Sequence, residues 1–173
     1  MSRSIRTMAL AAVISAPLLL GSCIHTDSQF PEEVPIERTT FASTLGVDLA
    51  ASTKTAGGAY YRDITVGTGA AVTNGKQFQV YYTGWLADGS LFETNVGDNL
   101  LPVTLGTGAV IEGWDQTIIG AKVGGTRQVI IPPSLGFGQY PYGNIPGNSV
   151  LVFNVQIVSI DPSIANGGMT AFT

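Results

Sequence analysis

The chain has 173 residues, 22 of them glycine and 9 proline, with 12% charged; this suits one turn-rich β domain with extensions and disfavours a helical bundle. A formal charge of −4 with no cluster of Lys or Arg argues against nucleic acid as a partner. The single cysteine excludes an internal disulfide.

In chain order, Arg3 and Arg6 precede the apolar run Met8 to Leu20, which is too short and wrongly flanked for a membrane span and has the layout of a secretory signal. The run ends Leu20-Gly21-Ser22-Cys23, which resembles the bacterial lipobox. Residues 1–22 therefore read as a lipoprotein-type signal peptide, and losing its two arginines and no acid takes the formal charge from −4 to −6. The lipobox resemblance implies lipidation of Cys23 and anchoring by several acyl chains, stable where one chain is marginal. Ile24 follows, with no aspartate to mark inner-membrane retention, so the expected location is the bacterial envelope, at the outer membrane facing the periplasm or the surface. The alternative is an ordinary signal with a leftover thiol.

Residues 23–59 read as the lipidated cysteine and a flexible tether, carrying Pro31, Pro35, Glu32, Glu33 and Glu37 and then Ser, Thr, Ala and Gly. As a coil, a tether of this length averages about 30 Å end to end. Phe41, Leu45 and Leu49 recur every four residues, so part of it can form a short helix docking on the domain or a partner. His25, the sole histidine, makes no metal site by itself.

The domain proper spans 60–160, and 161–173 reads as a C-terminal tail. Tyr60 to Val66 is a first strand, and Gln77 to Thr83 alternates so that Phe78, Val80 and Tyr82 share a face. Asp88-Gly89 between apolar residues signals a hairpin from which Phe92-Glu93 emerges. Val103 and Leu105 fit a half-buried strand, Gly106 and Gly108 permit a tight corner, and Glu112 to Ile119 places Trp114, Ile118 and Ile119 on one face of a short helix ended by Gly120. Thr126 to Ile131 is a strand stopped by Pro132-Pro133, the Gly- and aromatic-rich stretch from Ser134 to Asn148 reads as a pocket wall, and Val150 to Ile160 puts Leu151, Phe153, Val155 and Ile157 on one face. The fold class is α+β: an antiparallel sheet of about five strands half-wrapped around one short α-helix.

The domain has no histidine or cysteine, no GxSxG, no P-loop and no carboxylates at metal-ligand spacing; neither metal nor cofactor is expected. It offers instead aromatic and branched residues at element ends. Taken alone Trp114 reads as core and Glu93 as a solvated carboxylate. In sequence, however, Val80-Tyr-Tyr-Thr-Gly-Trp-Leu-Ala-Asp-Gly-Ser-Leu-Phe92, Val110-Ile-Glu-Gly-Trp114, Leu135-Gly-Phe-Gly138, Ile145-Pro146 and Leu151-Val-Phe153 resemble the successive signatures of FKBP-type peptidyl-prolyl cis-trans isomerases.

That resemblance implies a proline pocket between helix and loops. Trp114 is expected as its floor, with Tyr82, Phe92, Val110, Ile111, Phe137 and Phe153 as walls, Leu101 and Ile145 closing its sides, and the Ile111 N–H binding a substrate carbonyl. Three positions depart from the family pattern: Glu93 replaces the usual aspartate, Phe137 the usual tyrosine, and Thr94 to Pro102 is one residue short with no arginine to pair with the acid. The implied function is rotation of Xaa-Pro bonds in exported proteins, with proline-containing segments and macrolide inhibitors as ligands and the membrane as anchor. Glu93 then orients the peptide or tunes the local field. The alternative is a membrane-tethered peptide-binding or chaperone module with little turnover, and a third reading is a structural envelope lipoprotein.

Overall fold

The computed structural model describes residues 33–160; residues 1–32, which include the expected signal peptide and Cys23, and residues 161–173, the expected tail, lie outside the described residues. Seven strands form one antiparallel sheet: β1 (Thr53–Lys54), β2 (Tyr60–Thr65), β3 (Gln77–Leu86), β4 (Leu91–Thr94), β5 (Leu101–Thr104), β6 (Thr126–Ile131) and β7 (Leu151–Ile160). Their order is β1-β2-β6-β7-β3-β4, and β5 also pairs with β3. The long β3 therefore runs beside β7 on one edge and is shared on the other, β5 taking Gln77 to Val80 and β4 taking Thr83 to Trp85. One helix, α1 (Glu112–Thr117), lies against the concave face.

Alternation decides what is buried. Phe78 and Val80 from β3, Val129 and Ile131 from β6, and Leu151, Phe153, Val155 and Ile157 from β7 meet Trp114 and Ile118 in the main core. Gly113 lets α1 approach β6 closely, because a Cβ there would overlap the Ile131 side chain. The glycine corner before α1 is present, with φ of +77° at Gly106 and +73° at Gly108. The helix is shorter than its sequence pattern: it stops at Thr117, Ile118 caps it fully buried, and Ile119 is turned 50% into solvent ahead of Gly120 at φ +80°. Ile119 is thus not on the buried face.

The sheet has two strands more than expected, because the return arm of the Asp88-Gly89 hairpin forms a strand of its own, β4, and β1 comes from the supposed tether. That segment is corrected from residue 33 onward: it is a strap packed on the sheet's other face. The outward residues Tyr60, Ile130, Val150 and Val152 form a second core with Ile36, which is 2% exposed, and Phe41, Leu45, Val47 and Leu49 pack against it. Two single turns of 3₁₀ helix, Ile36–Arg38 and Ser43–Leu45, bend the strap over the sheet. Polar ties fix it: Ala42 N–H donates to the Ala87 carbonyl at 2.8 Å, Gln128 Nε2 to the Leu45 carbonyl at 2.8 Å, and Glu37 accepts from both Lys54 and Tyr60 at 2.6 Å. The apolar side chains find a face that the charged and small residues between them concealed in the averaged composition.

Candidate functional site

The site lies where the end of β3, the start of β5, the Gly108-to-Trp114 segment, the loop after β6 and the start of β7 converge. They enclose an open pocket of about 470 Å³ lined by Tyr82, Glu93, Leu101, Gly108, Ala109, Val110, Ile111, Trp114, Phe137 and Phe153. Trp114, on the first turn of α1 and only 3% exposed, is its floor. Two walls meet it edge-on: Tyr82 at 5.4 Å between ring centroids with planes at 86°, and Phe153 at 5.5 Å and 89°. Such T-shaped contacts each contribute about 0.5–1.5 kcal/mol beyond area burial, so the floor's orientation is fixed by rings that are themselves anchored on adjacent strands.

Eight of the ten residues assigned to the pocket from sequence converge on it; two do not. Phe92 stands behind the wall, edge-on to Phe153 at 5.5 Å and 88°, and so supports the wall. Ile145 is buried in the main core at 6% exposure. The loop instead offers a stacked pair, Phe137 on Tyr142 at 4.7 Å with planes 5° apart, held by a tight turn in which the N–H groups of Tyr142 and Ile145 each donate to the other's carbonyl at 2.9 Å. Sequence reasoning missed Gly108 and Ala109 as lining residues. They line the pocket as part of the corner, and the only sequence signal was their adjacency to Val110.

Besides the Glu93 carboxylate, the Tyr82 hydroxyl and the Ile111 N–H belong to the lining residues. Burial first, and then the hydrogen-bonding influence and charge of the Glu93 carboxylate, push the Tyr82 phenol up to about 12. Tyr82 is therefore a neutral donor at physiological pH. Ile111 precedes α1 with extended backbone (φ −62°, ψ 147°), and its carbonyl accepts from the Trp114 N–H at 2.9 Å; its own N–H has no acceptor among the described residues. Beyond the lining, Arg127, 5% exposed, holds the far end of α1 by donating from Nη1 to the Thr117 and Ile119 carbonyls, both at 2.9 Å, while pairing with Asp63 at 2.7 Å. Among the described residues no group of three or more His, Cys, Asp or Glu side chains converges as a metal site would require.

A sheet half-wrapped on one short helix, with an apolar pocket floored by a tryptophan between them, defines the FKBP type of domain. Comparison with known proteins agrees. The family model for FKBP-type peptidyl-prolyl cis-trans isomerases matches residues 69–158. An FK506-binding protein of Neisseria meningitidis is 38% identical over 106 residues, covering 60% of this chain and 97% of that protein. FK506-binding protein 2 of Dictyostelium discoideum is 45% identical over 91 residues, 51% of this chain and 68% of its own. Among solved structures, FkpA from Escherichia coli superposes with a TM-score of 0.59 at 31% identity, covering 65% of this chain and 53% of FkpA; AtFKBP13 gives 0.56 at 30% identity, covering 62% and 96%. The chain belongs to the FKBP-type peptidyl-prolyl cis-trans isomerase family, and its activity is isomerisation of the bond preceding proline.

Proposed function

We propose that the chain accelerates Xaa-Pro rotation in exported proteins from a lipid anchor at Cys23, using the aromatic pocket to bind the twisted amide. The observation that carries this is the pocket itself: a tryptophan floor between two perpendicular rings, with a neutral phenol and an Ile111 N–H that has no acceptor among the described residues at its lining. Rotation must overcome about 18–20 kcal/mol of amide resonance, and no bond is broken. A twisted amide is less polar than the planar, solvated one. An apolar cavity that seats the proline ring therefore favours the transition state over the ground state without acid or base. In this reading the Ile111 N–H holds a substrate carbonyl, Val110, Leu101 and Phe137 flank the ring, and Glu93 keeps the Tyr82 hydroxyl oriented.

The signal layout and lipobox support export and anchoring, at the outer membrane facing the periplasm or the surface. The names of the relatives support FK506-like macrolides as competitors for the pocket. The test is NMR exchange of a short Xaa-Pro peptide with the full chain in detergent and with Phe137→Ala, which trims a half-buried wall residue. Acceleration by the wild type, blocked by FK506 and reduced about tenfold in the folded variant, is the expected outcome; that loss corresponds to about 1.4 kcal/mol of transition-state binding. Peptide binding without acceleration would leave only the tethered binding module. For the anchor, Cys23→Ser is expected to move the protein from the membrane fraction to the soluble one.

A further inference from the structure

The strap does more than cover the sheet, because its last turn reaches the element that carries the pocket floor. Thr55 lies outside the segment that the family model matches, yet its Oγ1 donates to Gln116 Oε1 at 2.9 Å, and Gln116 Nε2 donates on to Glu112 Oε1 at 3.0 Å. One line of side-chain hydrogen bonds therefore runs from the strap along the solvent flank of α1 to the residue next to Ile111. Thr55 is itself fixed, since its N–H donates to the Ala59 carbonyl at 2.8 Å and its Oγ1 accepts from the Ala59 N–H at 3.1 Å. Gly57 brings the strap backbone flat against the Gln116 amide, where a Cβ would overlap the amide atoms.

A helix of six residues with no side-chain cap at Ile111 has too few internal bonds to hold its own position. Its inner face is set by Trp114 and by Gly113 on Ile131, and its far end by Arg127. Its outer flank near the start has the Thr55–Gln116–Glu112 line. We propose that Gln116, held by Thr55, is a positioning residue for isomerisation, fixing the rotation of α1 that presents Trp114 and the Ile111 N–H to the substrate. This inference rests on the pocket reading above, and it makes the strap a part of the working enzyme.

The test compares Thr55→Val, Gln116→Leu and their double variant in the full chain, reading kcat and KM for an Xaa-Pro peptide by NMR exchange, with the Ile111 amide and Trp114 indole shifts read in parallel. Each single variant is expected to lower kcat about fivefold, equivalent to about 1 kcal/mol, with little change in KM and with both shifts displaced. The double variant is expected to be no worse than the weaker single, because both changes interrupt one line. Thr55→Ser keeps the hydroxyl and is expected to restore kcat. Lys54→Met breaks the ion pair with Glu37 one residue away without touching α1, and is expected to leave kcat and both shifts unchanged. Wild-type kcat in folded Thr55→Val and Gln116→Leu overturns the proposal. So does an equal loss in Lys54→Met, which would make the strap a stabiliser only. A folded wild type that fails to accelerate exchange rejects the pocket reading itself.

Discussion

Gly84→Ala tests whether the pocket works by fixed geometry. Gly84 sits on β3 opposite Phe153 on β7 and Glu93 on β4, with a φ outside the left-handed region, so alanine meets no backbone strain. The added Cβ would stand 2.7 Å from Phe153 Cε1 and 2.7 Å from Phe92 Cζ. Carbon atoms rest at about 3.5–4.0 Å, so the rings must give way by about 1 Å, and Phe153 cannot move without changing its edge contact with Trp114 and its tilted contact with Tyr82. Overpacking of this kind costs about 1–3 kcal/mol, offset by about 0.5–1 kcal/mol from removing a flexible glycine. The net loss, up to about 2.5 kcal/mol, leaves a domain of ordinary stability folded at 25 °C. Displacing the pocket wall by about 1 Å, in contrast, can cost about 100-fold in rate. Thermal unfolding and Xaa-Pro exchange on the same sample are expected to separate the two effects: Tm falls by a few degrees and kcat/KM by about 10- to 100-fold. A folded Gly84→Ala with wild-type kcat/KM would refute the claim that the Phe153 wall must stand where it does.

The remaining predictions concern charge and protonation. Because the fold raises the Tyr82 phenol to about 12, the neutral donor is stabilised fully below pH 10 and that contribution is lost only as pH rises through 12; the Tyr60 phenol is also raised, chiefly by its hydrogen bond to Glu37, so a tyrosinate absorbance titration is expected to lose one late-ionising tyrosine in Tyr82→Phe while that of Tyr60 remains. Glu37 is lowered to about 2, chiefly by its hydrogen bond to Lys54 and then by that to Tyr60, so its contribution to strap docking is present above about pH 4.5 and is lost as pH falls toward 2. Both Glu37 and Lys54 are exposed, so the effect is small and weakened by salt; hydrogen exchange at the strap amides, followed with falling pH, reads it. Asp63→Asn leaves Arg127 nearly buried without its charge partner, which lowers stability by about 2 kcal/mol in denaturant unfolding, below the 3–5 kcal/mol of a fully enclosed pair because the Asp63 side chain keeps 33% exposure.

The strands were legible because period-two alternation survives in a sheet with both faces covered unequally. Phe78, Val80 and the odd-numbered run from Leu151 to Ile157 point to the main core, and that face carries the larger and more regular side chains. The second face was legible only in part: the recurrence of Phe41, Leu45 and Leu49 marked a segment able to dock on the domain, but not the full set of residues that covers the face, nor the face itself. Its outward residues Ile130, Val150 and Val152 look like ordinary strand-filling β-branched residues, and their covering partners Ile36, Phe41, Leu45, Val47 and Leu49 follow no single period. They reach one surface only because two 3₁₀ turns redirect the chain, and neither a helical nor a strand template detects that. Phe92 and Ile145 sit beside the lining, Phe92 against Phe153 and Ile145 in the main core: motif resemblance gives membership of a neighbourhood, whereas which ring faces the void and which backs it is decided by layers of packing. Gly84 is where that layering is set, since the missing Cβ lets Phe92 and Phe153 close over β3.

The same reasoning explains why so much of the site is readable in a chain with no catalytic histidine or cysteine in its domain. A nucleophile would need one residue tuned by its surroundings, and those surroundings are scattered in sequence. A pocket that acts by shape needs many rigid apolar groups, each of which leaves a mark in or beside an element: Tyr82 within β3, Val110 and Ile111 before α1, Trp114 within it, Phe153 near the start of β7. Rigidity is then what such a pocket requires, and it is supplied from outside the lining. Phe92 backs Phe153, Arg127 holds the end of α1, and the strap's Thr55 braces its flank. On this view substitutions in these backing residues reduce the isomerase rate while leaving the pocket's composition unchanged.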